Sequence, residues 1–396
     1  MTRHRWAWVE VDLDAIRANV LAFRQLTGPG VKFMAVVKAD AYGHGAVAVA
    51  RAAVDAGAEW LGVATADEAL ELRAGGLAAP VLVLAEPPEE ALSELIAAQV
   101  TCTATSLEFL RTLSGFAMLE RVVVPWHLKI DTGMNRIGVA PTEAATLLTE
   151  AATLPGLRLG GVFTHFATAD VDGDWDVRTQ IDAFETALRH IRDAGLDPGI
   201  VHSCNSAGAV LLPQARYDMV RVGISLYGLH PSDATRDKIL LTPAMSVHAR
   251  ATRVKAVSMG EGVGYGLTYR VFKPVQLVTL PLGYADGIPR LGSNKLDVMV
   301  AGNGRRVEQA GNVCMDQLMC AVPPREAIEY GDEFVLAGRA GSVRDVAAAA
   351  RGVRTSGSPR TDGFISIDEI AETARTINHE ICCGLGQRLE RVYVNG

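Results

Sequence analysis

No run in the 396-residue chain approaches the roughly 18 to 20 consecutive apolar residues that a membrane-spanning helix needs. Met1 to Asp14 carries Arg3, Arg5, Glu10, Asp12 and Asp14 where a secretory leader would be apolar, so the expected location is the cytoplasm, with no membrane partner. Cys102, Cys204, Cys314, Cys320, Cys382 and Cys383 show no paired C-x-x-C spacing, which argues against a disulfide framework or a zinc site and for reduced thiols. Adjacent Cys382 and Cys383 read as one buried and one solvent-facing residue near a strand end. Lys plus Arg is 38 against 45 Asp plus Glu, a net charge of −7, and no block of like charge is long enough to bind a polyanion, so nucleic acid is not an expected partner. What the chain does have is ordinary globular composition, 49% hydrophobic and 21% charged, which excludes disorder as its main state. At about 150 residues per domain, its length suggests two to three domains.

From Phe33 to about Gly228, short apolar runs alternate with helical patterns, the signature of βαβ units around a parallel sheet. The runs fall near Phe33–Val37, Trp60–Ala64, Val81–Leu84, Val100–Thr103, Trp126–Ile130, Leu159–Phe163, Ile200–His202 and Met219–Val222. Thr65 with Glu68, and Thr105 with Glu108, have capping-box spacing, and Gly75-Gly76 reads as a helix stop. Eight such repeats in about 200 residues match a (β/α)8 barrel of the TIM type better than an open sheet. After Ser232, the runs Ser246–Val257, Val275–Leu282, Leu296–Val300 and Phe334–Leu336, separated by Gly, Pro and Asn, suggest a mainly β domain. The expected division is residues 1–235 as an α/β barrel domain and residues 236–396 as a mainly β domain. Within the latter, Gly338–Gly363 reads as a partly helical loop with a mobile tip at Ser356-Gly357-Ser358-Pro359, and a last helix opens at Ser366 with Glu369 in capping position.

Reactive groups in such a barrel collect where strands end. The first run is followed by Lys38, the fifth by Lys129, Asp131 and Arg136, the sixth by His165 and Asp170, the seventh by His202, Asn205 and Ser206, and the eighth is bracketed by Arg221, Gly223 and Ile224. A lysine at the inner end of a buried strand is costly unless paired or used chemically, as in a Schiff base with a carbonyl cofactor; a lysine snorkelling to the rim also accounts for it. Strand-end His, Asp and Asn are also ordinary satisfied polar groups and turn formers. Together they make a concave polar mouth, and the ends of the last two strands are where barrels often hold phosphate.

The segments AVVKADAYGHG from Ala35, HLKIDTGMNRIG from His127, THFATAD, HSCNSAG, RVGISLYG, GYGLTY, GYADG and GNVCMDQ occur in this order over nearly the whole chain. In them the sequence resembles the alanine racemase family of fold type III pyridoxal-phosphate enzymes. The resemblance implies that Lys38 carries pyridoxal 5'-phosphate as a Schiff base and acts as acid and base on one face of the substrate α-carbon. It implies that Tyr42, Ser206, Gly223 and Ile224 hold the phosphate, and that His165, Asn205 and His379 belong to the cofactor-binding set. Arg221, held by His202, would face the pyridine nitrogen. Being always protonated, it would leave that nitrogen without a proton and favour simple proton return over transamination.

The resemblance further implies a second acid/base group, Tyr265 of the partner subunit, since racemisation needs groups on opposite faces of one carbon. A phenol is a poor base at neutral pH unless tuned, and Arg136 with His165 would tune it; in the residues alone, Tyr265 also reads as a turn aromatic in a Gly-rich hairpin. Lys129 matches a position carried as a carbamate in many members, orienting Arg136. Met315 and Asp316 of the partner subunit would line the substrate carboxylate site with Tyr284 near the entrance, which requires a homodimer with shared active sites. The implied activity is racemisation of L- and D-alanine.

Two positions depart from the family pattern. In Thr376-Ile377-Asn378-His379-Glu380, His379 stands where the family has tyrosine, which suggests a substrate range extended to serine or another small polar or α-substituted amino acid. The Gly338–Gly363 segment is longer than expected. A fold type III decarboxylase shares the barrel and the Cys314-to-Asp316 spacing but places a carboxylate where Arg221 stands. A non-catalytic pyridoxal-phosphate-binding protein lacks the second domain, and a catalytically silent paralogue is argued against by the intact Lys38 and Tyr265.

Overall fold

A computed structural model describes residues 5–171, 175–340 and 363–396. The chain divides into two compact units, one of Ala15–Ala41 with Ala46–Leu241, the other of Met1–Asp14, Tyr42–Gly45 and Thr242–Gly396. The first strand, β1 (Ala7–Asp12), belongs to the latter. The next eight close into a parallel barrel: β2 (Lys32–Val36), β3 (Trp60–Val63), β4 (Val81–Val83), β5 (Thr101–Ala104), β6 (Val124–Lys129), β7 (Leu157–Phe163), β8 (Ile200–His202) and β9 (Met219–Val222). All eight expected runs are strands, and β9 pairs back with β2 in the register Met34↔Arg221. Buried Met34, Leu82 and Met219 pack together with Trp60, Leu84 and Ile200, as barrel strands fill their interior with bulky apolar side chains.

Helix starts follow local chemistry. Thr65 accepts from Glu68 N while the Glu68 carboxylate accepts from Thr65 N, a complete capping box opening Ala66–Ala74, and the helix ends at Gly75. Ser366 and Glu369 do the same for Ile367–Ala374. The expected cap at Thr105 is one residue early: Ser106 accepts from Phe109 N, and the N–H of Thr105 is taken by Glu86.

The other unit holds β10 (Met245–Arg250), β11 (Arg253–Val257), β12 (Gly262–Val263), β13 (Tyr269–Arg270), β14 (Val275–Leu280), β15 (Asp297–Val300), β16 (Arg306–Gln309), β17 (Leu318–Val322), β18 (Glu333–Arg339), β19 (Phe364–Ile365) and β20 (Glu390–Val394). Its main sheet runs β11-β14-β17-β16-β15-β18-β10-β1-β20, so β1 lies antiparallel to β10 and parallel to β20. Val257, Val263, Val271, Val275, Leu277, Ala310 and Ala321 form a buried apolar cluster beneath it. Cys382 is buried and Cys383 exposed, as expected, but both lie in the helix Asn378–Gly384 and not near a strand end. Of the Gly338–Gly363 segment, residues 341–362, including Ser356 to Pro359, lie outside the described residues. No helix among the described residues is long and apolar enough to cross a membrane.

Candidate active site

The barrel draws its charged side chains from the C-terminal ends of its strands: Lys38 follows β2, Lys129 ends β6 and Arg221 lies near the end of β9. Half-buried Lys38 stands two residues past the end of β2. The Tyr227 hydroxyl, after β9, donates to Val36 O at 2.8 Å and ties that strand end down. Arg221 of β9 is 3% exposed, and both of its terminal nitrogens donate to protein acceptors. One donates to His202 Nδ1 at 3.1 Å; the other donates to Thr164 O (2.8 Å), Ser203 O (2.9 Å) and His165 Nδ1 (3.1 Å). The Nε–H makes no hydrogen bond to the described residues. The guanidinium lies 5.3 Å from the Phe163 ring centroid, and Phe163 stacks on His202 at 4.7 Å and 5°.

This network decides protonation. Arg221 only donates, so His202 Nδ1 must be an acceptor and its proton sits on Nε2, from which it donates to His127 Nδ1 at 2.9 Å. Burial, and then the Arg221 charge, hold His202 well below the ordinary histidine range and bring His127 down to about 3. His165 is lowered in the same way by burial and by Arg221, Lys129, Arg136 and Lys38, so four positive charges converge on one neutral imidazole. Arg221 itself is brought by burial to about 10 and stays charged at neutral pH. Lys129, 3% exposed, is lowered to about 8 by burial and Arg221, with Asp131 opposing and Arg136 adding. Arg136 is exposed on the loop after β6.

Past β8, Asn205 caps the helix Ser206–Leu211 by accepting from Gly208 N at 3.0 Å, which sets the Ser206 hydroxyl at the helix start. Ser206 Oγ accepts from Gly223 N at 3.0 Å, so the turns after β8 and β9 share one cradle with Ile224 beside it. Buried Ser225 Oγ has no hydrogen-bond partner among the described residues.

A second group gathers in the mainly β unit. Tyr42 and His379 pack ring to ring at 6.0 Å, and burial pushes the Tyr42 phenol well up, so it remains a hydrogen-bond donor. Tyr265 is 74% exposed on a loop whose carbonyl accepts from Asn312 Nδ2 at 2.7 Å. Tyr284 N and Ala285 N donate to Cys314 O and Met315 O, both at 3.0 Å. Gly283 permits this approach, since a Cβ there would stand 2.2 Å from Met315 O. Asp316 is paired with Arg388 at 2.6 Å. Tyr265, Tyr284, Met315 and Asp316 therefore occupy neighbouring loops and project exposed side chains. Sequence reasoning passed over His127 and Ser225. The signal for His127 was a second polar residue, two before Lys129, inside the buried strand β6; that for Ser225 was a serine directly after Gly223-Ile224.

Comparisons with known proteins place the chain in a family. Residues 11–231 match the family profile "Alanine racemase, N-terminal domain" and residues 244–358 "Alanine racemase, C-terminal domain". The alanine racemase of Symbiobacterium thermophilum is 41% identical over 393 residues, covering 98% of this chain and 97% of that protein. Among solved structures, the alanine racemase of Clostridium difficile 630 superposes with a TM-score of 0.89 at 33% identity, covering 99% of this chain and 97% of that one. The Bacillus anthracis alanine racemase with bound L-Ala-P gives 0.88 at 35% identity, covering 100% and 97%. With both family profiles and full-length relatives matched, and a barrel mouth built as described, the chain belongs to the alanine racemase family and is a racemase, an isomerase.

Proposed function

We propose that this protein interconverts L- and D-alanine by a two-base mechanism, with Lys38 and Tyr265 of the partner subunit handling the α-proton on opposite faces. The observation that carries this reading is the buried, charged Arg221, whose terminal nitrogens donate to His202, Thr164, Ser203 and His165 while its Nε–H makes no hydrogen bond to the described residues. The family cofactor is pyridoxal phosphate, and the residues present fit it: Ser206 Oγ, the orphaned Ser225 Oγ and the turn at Gly223 and Ile224 suit a phosphate, and the spare Nε–H suits a ring nitrogen that accepts. Tyr42 and His379 complete the proposed cofactor-binding set, and Asn205 supports it through its cap. When bound, pyridoxal phosphate supplies an electron sink that lowers the barrier to removing the α-proton.

Arg221 cannot hand a proton to that ring nitrogen, so the sink is weak and proton return is favoured over side reactions. Lys38 Nζ holds or releases the proton on one face. His165, whose Nδ1 accepts from Arg221, keeps its own proton on Nε2, a donor for the phenolate form of Tyr265 of the partner subunit. Lys129, brought to about 8, has more of the uncharged amine that adds to CO2 than an ordinary lysine, which supports a carbamate orienting Arg136. The exposed loops with Tyr284, Met315 and Asp316 are the proposed substrate-facing surface, shared across a homodimer.

Deuterium incorporation at the α-carbon of L-alanine in D2O, with chiral analysis, tests the reading. Exchange coupled to racemisation, abolished in Lys38→Ala and confined to one enantiomer in Tyr265→Phe, is the expected result; racemisation intact in either variant would sink it.

A further inference from the structure

Ala39, Asp40, Ala41 and Tyr42, directly after Lys38, have φ of 53, 51, 52 and 52°, and Gly43 follows at 77°. Such a left-handed turn is disfavoured for L-residues because each Cβ crowds a carbonyl oxygen, so it persists only where its surroundings hold it. The first N–H of the turn, on Ala39, donates to Glu68 Oε1 at 2.7 Å. The other oxygen of that carboxylate accepts from Ala64 N at 2.7 Å and Thr65 N at 3.2 Å. One carboxylate thus ties the chain leaving β2 to the chain leaving β3. A capping box needs only the bond to Thr65 N; the bonds to Ala39 and Ala64 lie outside it.

We propose that Glu68 is a positioning residue for Lys38: by holding Ala39 N it fixes the left-handed turn and, with it, the backbone from which the Lys38 side chain departs. The inference rests on the reading of Lys38 as a proton-transferring group. Asp40 Oδ1 accepts from Ala46 N at 2.7 Å at the far side of the same turn, Ala41 N donates to Val37 O at 2.9 Å, and Glu68 holds the N–H next to Lys38. A carboxylate with two oxygens suits two strand ends; an amide, with one acceptor oxygen, serves only one of them.

The test compares the cofactor-loaded Glu68→Ala and Glu68→Gln variants with Thr65→Ala, which removes the capping hydroxyl and leaves the carboxylate. In Glu68→Ala, amide hydrogen exchange across residues 39–42 should quicken at least about tenfold. Its kcat for alanine should fall about tenfold or more with KM unchanged, the mark of a misplaced reacting group. Glu68→Gln should show a smaller change in both, and it serves as the probe if the alanine variant does not fold. Thr65→Ala should lose Tm while keeping wild-type exchange and kcat. Glu68 variants that match Thr65→Ala in exchange and kcat would overturn the proposal. Lys38→Ala in parallel separates the two failures, because racemisation surviving there overturns the role of Lys38 and not that of Glu68.

Discussion

Arg221 governs the barrel mouth because it can only donate. Every acceptor around it is thereby forced into one tautomer, and His165 and His202 stay neutral without a carboxylate to hold them. Replacing it by Glu reverses this logic. The buried carboxylate would draw a proton onto His202, and a ring nitrogen facing it would be protonated. Arg221→Glu is expected to lower racemisation by roughly 10²-fold or more and to raise transamination, read as pyruvate released from alanine. Unchanged partitioning between the two would show that the residue does not face the ring. His379 offers a finer probe. Its ring packs against Tyr42, and a tyrosine there would restore the family pattern, so His379→Tyr is expected to raise the preference for alanine over serine. Equal ratios before and after would remove any role for His379 in substrate choice.

Strand ends and short helices convert sequence into placement. Ser206 reaches its position because Asn205 caps a helix of six residues, too short to be stable without tertiary support. Asn205→Ala is expected to cost about 1 kcal/mol of stability and, by loosening the cradle, to weaken pyridoxal-phosphate binding. Urea unfolding and a cofactor titration check the two halves separately, and tight binding at reduced stability would show that the cap does not serve the cradle. Local signals were reliable where the chemistry is local. The Thr65–Glu68 and Ser366–Glu369 boxes were visible in the sequence, while Thr105 lost its cap role to Ser106 because Glu86, nineteen residues away, captures its N–H. The left-handed turn after Lys38 was not visible, since in Ala-Asp-Ala-Tyr only the aspartate tolerates positive φ and Glu68 and Asp40 hold the turn through bonds to Ala39 N and Ala46 N.

For the protein as a whole, three neutral histidines of the barrel, His127 and His202 buried and His165 half-buried, create an acid weakness. In the unfolded chain, His127, His165 and His202 take up protons near pH 6.5; in the folded barrel burial and Arg221 prevent it. Below about pH 6.5 the unfolded state therefore binds more protons, so stability falls as pH falls, by up to about 1.4 kcal/mol per pH unit for each histidine. Urea unfolding at pH 7.5, 6.0 and 5.0 measures the slope, and a flat profile would contradict the assigned protonation. Shared active sites make a separate forecast. Lys38→Ala and Tyr265→Phe, each inactive in racemisation alone, should regain about a quarter of wild-type activity when refolded together, because half the dimers are mixed and each mixed dimer holds one intact site. No recovery at all would place both groups on one chain.

The eight barrel strands and the polar residues at their ends were legible in the residues, because a buried parallel strand is a continuous apolar run and the polar residue that follows it stands at the rim. The motif order likewise pointed to the family. Folding settled the rest. Ala7–Asp12 lies outside the expected strands, yet it pairs with Met245–Arg250 and Glu390–Val394, partners more than 200 residues distant that no local period can announce. The same holds for protonation: a histidine in a sequence has an ordinary titration, and it is burial beside Arg221, a property of packed distance, that makes His165 and His202 neutral donors and acceptors.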